Sequence, residues 1–152
     1  MLLFNGYDTK VGGSGYVRLD EESKARDEWA YDVAQNRMEF LRTAPYTVHT
    51  KTAYDEQSCR LVGFGADDTA VYALENKAWQ KTEPEEQPGT WRVGFGLAYD
   101  SQSDRTILFG GNPHGSLLND TWAYDYETNT WTEMSPDVSP SRRDGHAMAY
   151  DT

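Results

Sequence analysis

The sequence has a single cysteine, Cys59, among 152 residues, so no disulfide within the chain braces its fold. Basic residues are scarce too: 14 Lys plus Arg stand against 25 Asp plus Glu, a formal net charge of −11. A surface of that sign repels nucleic-acid phosphates and anionic lipid, which sets both aside as partners. Long apolar runs are lacking as well. The opening Met1-Leu2-Leu3-Phe4-Asn5-Gly6 is too short for a signal peptide and far below the ~20 residues of a membrane-spanning helix, and the compartment stays open. The charged stretch 20–28 has no apolar stripe to bury, so it offers no amphipathic helix. What the sequence does have is 10 Tyr, 5 Trp and 5 Phe beside 13 Gly, a mixture that suits short strands joined by turns.

Three motifs recur. Ala-Tyr-Asp stands at Ala53-Tyr54-Asp55, Ala98-Tyr99-Asp100 and Ala149-Tyr150-Asp151, at offsets of 45 and 51 residues. Five residues after the first two of these Asp comes an Arg and an apolar run, Arg60-Leu61-Val62-Gly63-Phe64-Gly65 and Arg105-Thr106-Ile107-Leu108-Phe109-Gly110-Gly111, with Leu2-Leu3-Phe4-Asn5-Gly6 as a third copy. The third motif, Asn119-Asp120-Thr121-Trp122-Ala123-Tyr124-Asp125 followed by Trp131, returns as Asp27-Glu28-Trp29-Ala30-Tyr31-Asp32 with Met38, and as Ala70-Val71-Tyr72-Ala73 with Trp79. Each copy holds four short runs bounded by turn residues, which predicts a four-stranded meander, a to d. In the last copy these are Gly94 to Tyr99, Thr106 to Phe109, Thr121 to Tyr126 and Thr130 to Met134.

Four strands in roughly 45–50 residues are the signature of β-propeller blades. The stretch Gly94 to Tyr150 closely resembles a kelch repeat, with its Phe109-Gly110-Gly111 turn, Tyr124-Asp125, Trp131, and Arg143-Asp144-Gly145-His146 opening the next blade. The middle copy departs from the pattern, with Gly65-Ala66 for the double glycine and Ala70 for an aromatic, and the first has Met38 for its second Trp. The resemblance implies an all-β chain of kelch-type blades. Strands b, c and d of blade one fall in 1–44, blade two in 45–84, blade three in 85–136, and a closing strand a in 145–151, all within one domain, 1–152. Gly110-Gly111 are expected to supply positive φ and room for a neighbouring blade, since no helix N-terminus follows them to hold phosphate. Trp122, Tyr124 and Trp131 recur and are expected in the core rather than on a sugar-stacking surface. Asn119-Asp120-Thr121 fits a glycosylation pattern but coincides with the start of strand c.

The d-to-a and b-to-c loops are long and share one propeller face, where binding residues concentrate. Its candidate contacts are Tyr16, Arg18, Tyr46, Trp91, Arg92, His114, Arg142, Arg143 and His146. Arg92 and Arg143 are repeat-equivalent, three residues before Phe95 and His146. Facing the channel mouth they would suit a carboxylate or acidic peptide; alternatively each bonds backbone carbonyls of a neighbouring loop. His49, His114 and His146 come from different blades without a carboxylate or cysteine at tight spacing, so no metal site and no cofactor is expected.

The resemblance therefore implies a binding or interaction scaffold that presents these loops to a protein, peptide or small ligand. The alternative is a fragment or subunit of a propeller enzyme acting on sugars or small molecules, oxidase- or epimerase-like, as some copper oxidases have kelch-like propellers; no catalytic residue can be named. With Leu2 aligned to Ile107, the chain counts as three permuted blades. Three blades do not close a ring, so a six-bladed homodimer is expected, each C-terminal strand a completing blade one of its partner, with more than ~2,000 Å² buried. The rival is a piece of a longer six- or seven-bladed chain.

Overall fold

The computed structural model describes residues 2–7, 26–43, 51–65, 68–89 and 91–151. All regular structure in these residues is β-strand, as the repeat pattern requires. The chain divides into two compact units, Met1–Tyr46 and Thr47–Thr152.

The first unit carries an antiparallel sheet in the order β1 (Leu2–Tyr7), β2 (Arg26–Asp32) and β3 (Arg37–Thr43). Its register departs from the alignment of Leu2 with Ile107. Phe4 lies opposite Trp29, where blade three sets Leu108 opposite Trp122, so β1 is slipped by one residue and Leu2 takes the place of Thr106. The irregularity that offsets the equivalent strands of blade three, between Phe109 and Gly111, has no counterpart in the β1–β2 ladder.

The second unit holds two blades. The meander β4 (Lys51–Asp55), β5 (Arg60–Gly65), β6 (Asp68–Ala73) and β7 (Ala78–Thr82) is blade two. Blade three runs β9 (Gly96–Asp100), β10 (Arg105–Pro113), β11 (Leu118–Asp125) and β12 (Thr130–Met134), preceded by the two-residue strand β8 (Arg92–Val93). Here the expectation of a turn at Phe109-Gly110-Gly111 is corrected. The glycines form a bulge inside β10, which continues to Pro113 and pairs first with β9 and then with β8. Both have positive φ, 60° and 103°. A Cβ on Gly111 would stand 2.9 Å from Arg92 Cγ and 3.0 Å from Phe95 Cβ, and one on Gly110 would stand 2.8 Å from the Arg143 carbonyl oxygen. The glycines thus let two incoming segments lie against β10, as anticipated.

The turns repeat a common chemistry. Asp32, Asp55 and Asp100, each ending a strand, accept hydrogen bonds from N–H groups two and three residues on, those of Ala34 and Gln35, Gln57 and Ser58, and Gln102 and Ser103. The fourth turn residue is left-handed each time: Asn36, Cys59, Lys77, Asp104 and Asn129 have φ between 48° and 56°. In three turns a Tyr five residues upstream donates its hydroxyl to that residue, Tyr31 to Asn36, Tyr99 to Asp104 and Tyr124 to Asn129, at 2.7–2.9 Å. After glycine, Asx tolerates this backbone best, which favours Asn36, Asp104 and Asn129 here, whereas Cys59 and Lys77 adopt it without that advantage.

The core of the second unit lies between its two blades, whose inner strands β4 and β9 pack together. Phe64, Phe95, Leu108, Tyr124 and Trp131 are each at most 2% exposed. Phe64 of blade two meets Phe95 and Trp131 of blade three edge-on, both at 5.5 Å. The Trp131 indole also donates to Thr69 Oγ1 at 2.9 Å. Of the recurrent aromatics expected in the core, Tyr124 and Trp131 are buried there while Trp122 is partly buried against it; burying such a ring fully contributes roughly 1.5–3 kcal/mol.

Candidate functional site

The loop face of blade three is organised by the short β8–β10 ladder. Arg92 is opposite Pro113 and Val93 opposite Asn112, which brings Trp91 and His114 together at the end of the ladder. Their ring centroids are 6.3 Å apart at 44°. Both residues are exposed, Trp91 at 60%, and both have left-handed backbone, with φ of 58° and 54°. A bulky residue in that region costs roughly 1–3 kcal/mol and is held by its surroundings. Leu117, 40% exposed, follows in the same β10–β11 loop.

Arg92, expected beside them as a ligand contact, is instead turned inward. It is 2% exposed. Its Nη1 and Nη2 each donate to a carboxylate oxygen of Asp120 at 2.7 Å, and Nη1 also donates to the Gly110 carbonyl at 3.0 Å. Its Nε is buried without a partner. The Trp122 indole donates to the same carboxylate at 2.8 Å. Burial pushes the Asp120 carboxyl up, but Arg92 and Trp122 together outweigh it and hold the carboxyl below its ordinary value. This bidentate pair fastens the loop before strand a to the head of strand c. At 2% exposure, with both terminal nitrogens held by Asp120, Arg92 is closed to a ligand arriving from solvent, and it leaves the ligand set for that reason.

Its repeat-equivalent behaves differently. Arg143 is exposed, and its side chain hydrogen-bonds only the Ser141 carbonyl and hydroxyl, at 2.9 and 3.1 Å, among the described residues. The backbone around it is fixed to blade three: Gly111 N–H donates to the Arg143 carbonyl at 2.8 Å, Arg143 N–H to the Leu118 carbonyl at 3.0 Å, and Gly145 N–H to the Gly94 carbonyl at 2.7 Å. The His146 ring meets Phe109 edge-on at 5.5 Å, and its backbone carbonyl accepts from Lys51 Nζ at 3.4 Å. Both ring nitrogens of His146 are buried without a hydrogen-bond partner. Burial first, then the charges of Lys51 and Arg143, pull its pKa below the ordinary histidine value. Residues 146–151 form no ladder among the described residues.

Among the candidates, then, Trp91 and His114 are brought together, Arg142 is exposed near Arg143, and His146 lies against Phe109. Tyr16, Arg18, Tyr46 and His49 lie outside the described residues. No group of three His, Cys, Asp or Glu side chains that could hold a metal ion occurs among the described residues. Cys59 is exposed and unpaired. No helix of the described residues is long and apolar enough to cross a membrane.

Strand order a-b-c-d, a glycine bulge in b, an Asp-x-Trp head on c and a buried Trp on d are now all in place for blade three. Residues 101–137 match the family model of the Kelch motif. The chain carries a kelch motif. It spans the a-to-b turn to the end of strand d, and β4–β7 repeat its strand order upstream. The residue that the sequence reading missed in this kelch motif is Asp120. Its signal was present: Asp stands two residues before Trp at both Asp120-Thr121-Trp122 and Asp27-Glu28-Trp29.

Proposed function

We propose that the chain is a kelch-type interaction scaffold that binds a protein or peptide on the loop face of blade three, and that it assembles as a homodimer. A kelch motif points to protein interaction in general. The observation that carries the finer reading is the Trp91–His114 pair. A tryptophan 60% exposed, with a left-handed backbone, presents apolar surface to solvent and carries backbone strain. Exposed aromatic anchors of this kind are enriched at binding hot spots, and backbone strain clusters at such sites. Arg142 adds positive charge to the same face of an acidic chain, favouring a ligand with a carboxylate beside an apolar group.

A displayed random-peptide library panned on the immobilised chain, with the Trp91→Ala variant as the counter-target, tests this. Peptides enriched on the parent chain are expected to lose at least about tenfold in affinity on the variant, whose thermal melt stays within about 2 °C of the parent. Enrichment that is identical on both proteins places binding elsewhere.

A further inference from the structure

Two segments lie against blades in the same way. At the junction of blades two and three, Phe95 meets Phe64 edge-on at 5.5 Å, and both Phe95 and Leu97 are buried. At a second junction, where residues 143–148 lie against blade three, His146 meets Phe109 edge-on at 5.5 Å. The Ala-Tyr-Asp motif that follows each segment sets His146 in the place of Phe95 and Met148 in that of Leu97. Two hydrocarbon side chains satisfy the packing at one junction. At the other, both are exchanged for side chains that carry a metal-ligating atom.

Those two atoms converge. A Cβ built on Gly96 would stand 2.6 Å from His146 Nε2 and nearer still to Met148 Sδ, so the nitrogen and the sulfur lie within about 5 Å of one another over a residue that has no side chain. Bonds of roughly 2.0 Å to nitrogen and 2.3 Å to sulfur meet at one ion in that space with at most a small rotation of the thioether. Both ring nitrogens of His146 are buried and make no hydrogen bond. Buried polar atoms without a partner are exceptions that need a cause, and ligation by Nε2 supplies one. Both residues are partly exposed, which leaves the pair open to an ion from the solvent side.

The ligand atoms decide which ion fits. The expectation of no metal weighed the histidines against carboxylates and cysteine and left the thioether out. A thioether beside an imidazole selects a soft ion such as Cu(I), whereas Mg(II) and Ca(II) call for oxygen ligands. Lys51 Nζ stands 3.4 Å from the His146 carbonyl oxygen and Arg143 is three residues upstream. Their positive charge repels a dication twice as strongly as a monocation. We propose that His146 Nε2 and Met148 Sδ together bind a soft monovalent metal ion, Cu(I), for which Ag(I) is the redox-inert probe. The site depends neither on the peptide-binding face nor on the homodimer.

Anaerobic competition for Cu(I) against bicinchoninate tests it, in Cys59→Asn protein so that the exposed thiol does not take the ion. This protein is expected to withdraw one equivalent of Cu(I) from the chelator. His146→Phe and Met148→Leu, which install the residues of the other junction, are each expected to weaken that binding at least about tenfold while the thermal melt stays within about 3 °C. No withdrawal of Cu(I), or an affinity that neither substitution changes, overturns the site. Zn(II) held as tightly as Cu(I) overturns its assignment to a soft ion. A measurement that needs no folded variant is the Met148 methyl resonance of the Cys59→Asn protein, which is expected to shift on addition of one equivalent of Ag(I). A signal that stays in place overturns the proposal.

Discussion

Blades two and three share one strand order and one turn chemistry, yet the heads of their c strands are locked in different ways. In blade three, Asp120 is gripped from outside its meander by a buried Arg92. In blade two the equivalent Asp68 pairs with Lys81 of the adjacent strand β7 at 2.6 Å, and the lysine side chain is 40% exposed. The repeat position of Arg92 holds Thr47, and that of Trp122 holds Ala70. Blade three thus ties its incoming loop to its sheet through a desolvated bidentate pair, while blade two spans two neighbouring strands at the surface. Loss of the repeat pattern in blade two changes which groups close the blade and leaves the meander itself intact.

The largest way to break that contrast is at the ion pairs. Arg92→Ala, which leaves the Asp120 carboxylate without its cation, is expected to cost about 3–5 kcal/mol in urea unfolding. Lys81→Ala, removing an exposed partner of Asp68, is expected to cost below about 1 kcal/mol. Similar losses for both would mean that the Arg92 pair is no better protected from water than the Lys81 pair.

A smaller change would make blade two more like blade three. Its a-to-b turn has Cys59 where blade three has Asp104, both left-handed, and Asp104 also accepts the Tyr99 hydroxyl. Cys59→Asn places a residue that tolerates this backbone five residues after Tyr54, and is expected to stabilise by about 0.5 kcal/mol. An unchanged or lower melting temperature would show that the turn gains nothing from an Asx side chain.

The smallest effect concerns His146, which sits where the other junction has Phe95. Its folded pKa is lowered by burial and by Lys51 and Arg143, with Asp144 opposing. As pH falls through about 6.5, the unfolded chain takes up a proton that the folded chain refuses, so stability declines until the folded pKa is reached and then levels off. His146→Phe is expected to remove this part of the decline between about pH 7.5 and 5, measured by thermal melts. A decline of the same size in the variant would assign it to other groups.

Strands and turns were legible in the sequence because their causes are local. A Tyr-Asp pair before a polar turn, an Asx in the fourth turn position and an aromatic recurring at fixed spacing act within a few residues of one another. Two details were misjudged for the same reason in reverse. Gly110-Gly111 read as a turn because glycine marks turns, whereas the segments lying against β10 make them a bulge within a longer strand. The slip of β1 follows from pairing with β2, where a one-residue change of register costs nothing that the sequence of β1 alone displays.

The ligand candidates divide along the same line. Trp91, His114, Arg92 and Arg143 were picked from loop length and repeat position, which locate a side chain on a face but give no direction to it. Whether an arginine on that face meets solvent or a carboxylate depends on the strand brought opposite it, and for Arg92 that partner lies 28 residues away on β11. By itself the sequence determined the all-β repeat, its turns and its recurrent aromatic core, since each is set by short-range backbone preference and by which side chains shun water. Only the tertiary structure decided that Arg92 faces inward, that Trp91 faces outward beside His114, and that His146 lies against Phe109. Those outcomes depend on contacts between residues distant in the chain, and such contacts form only when the blades pack.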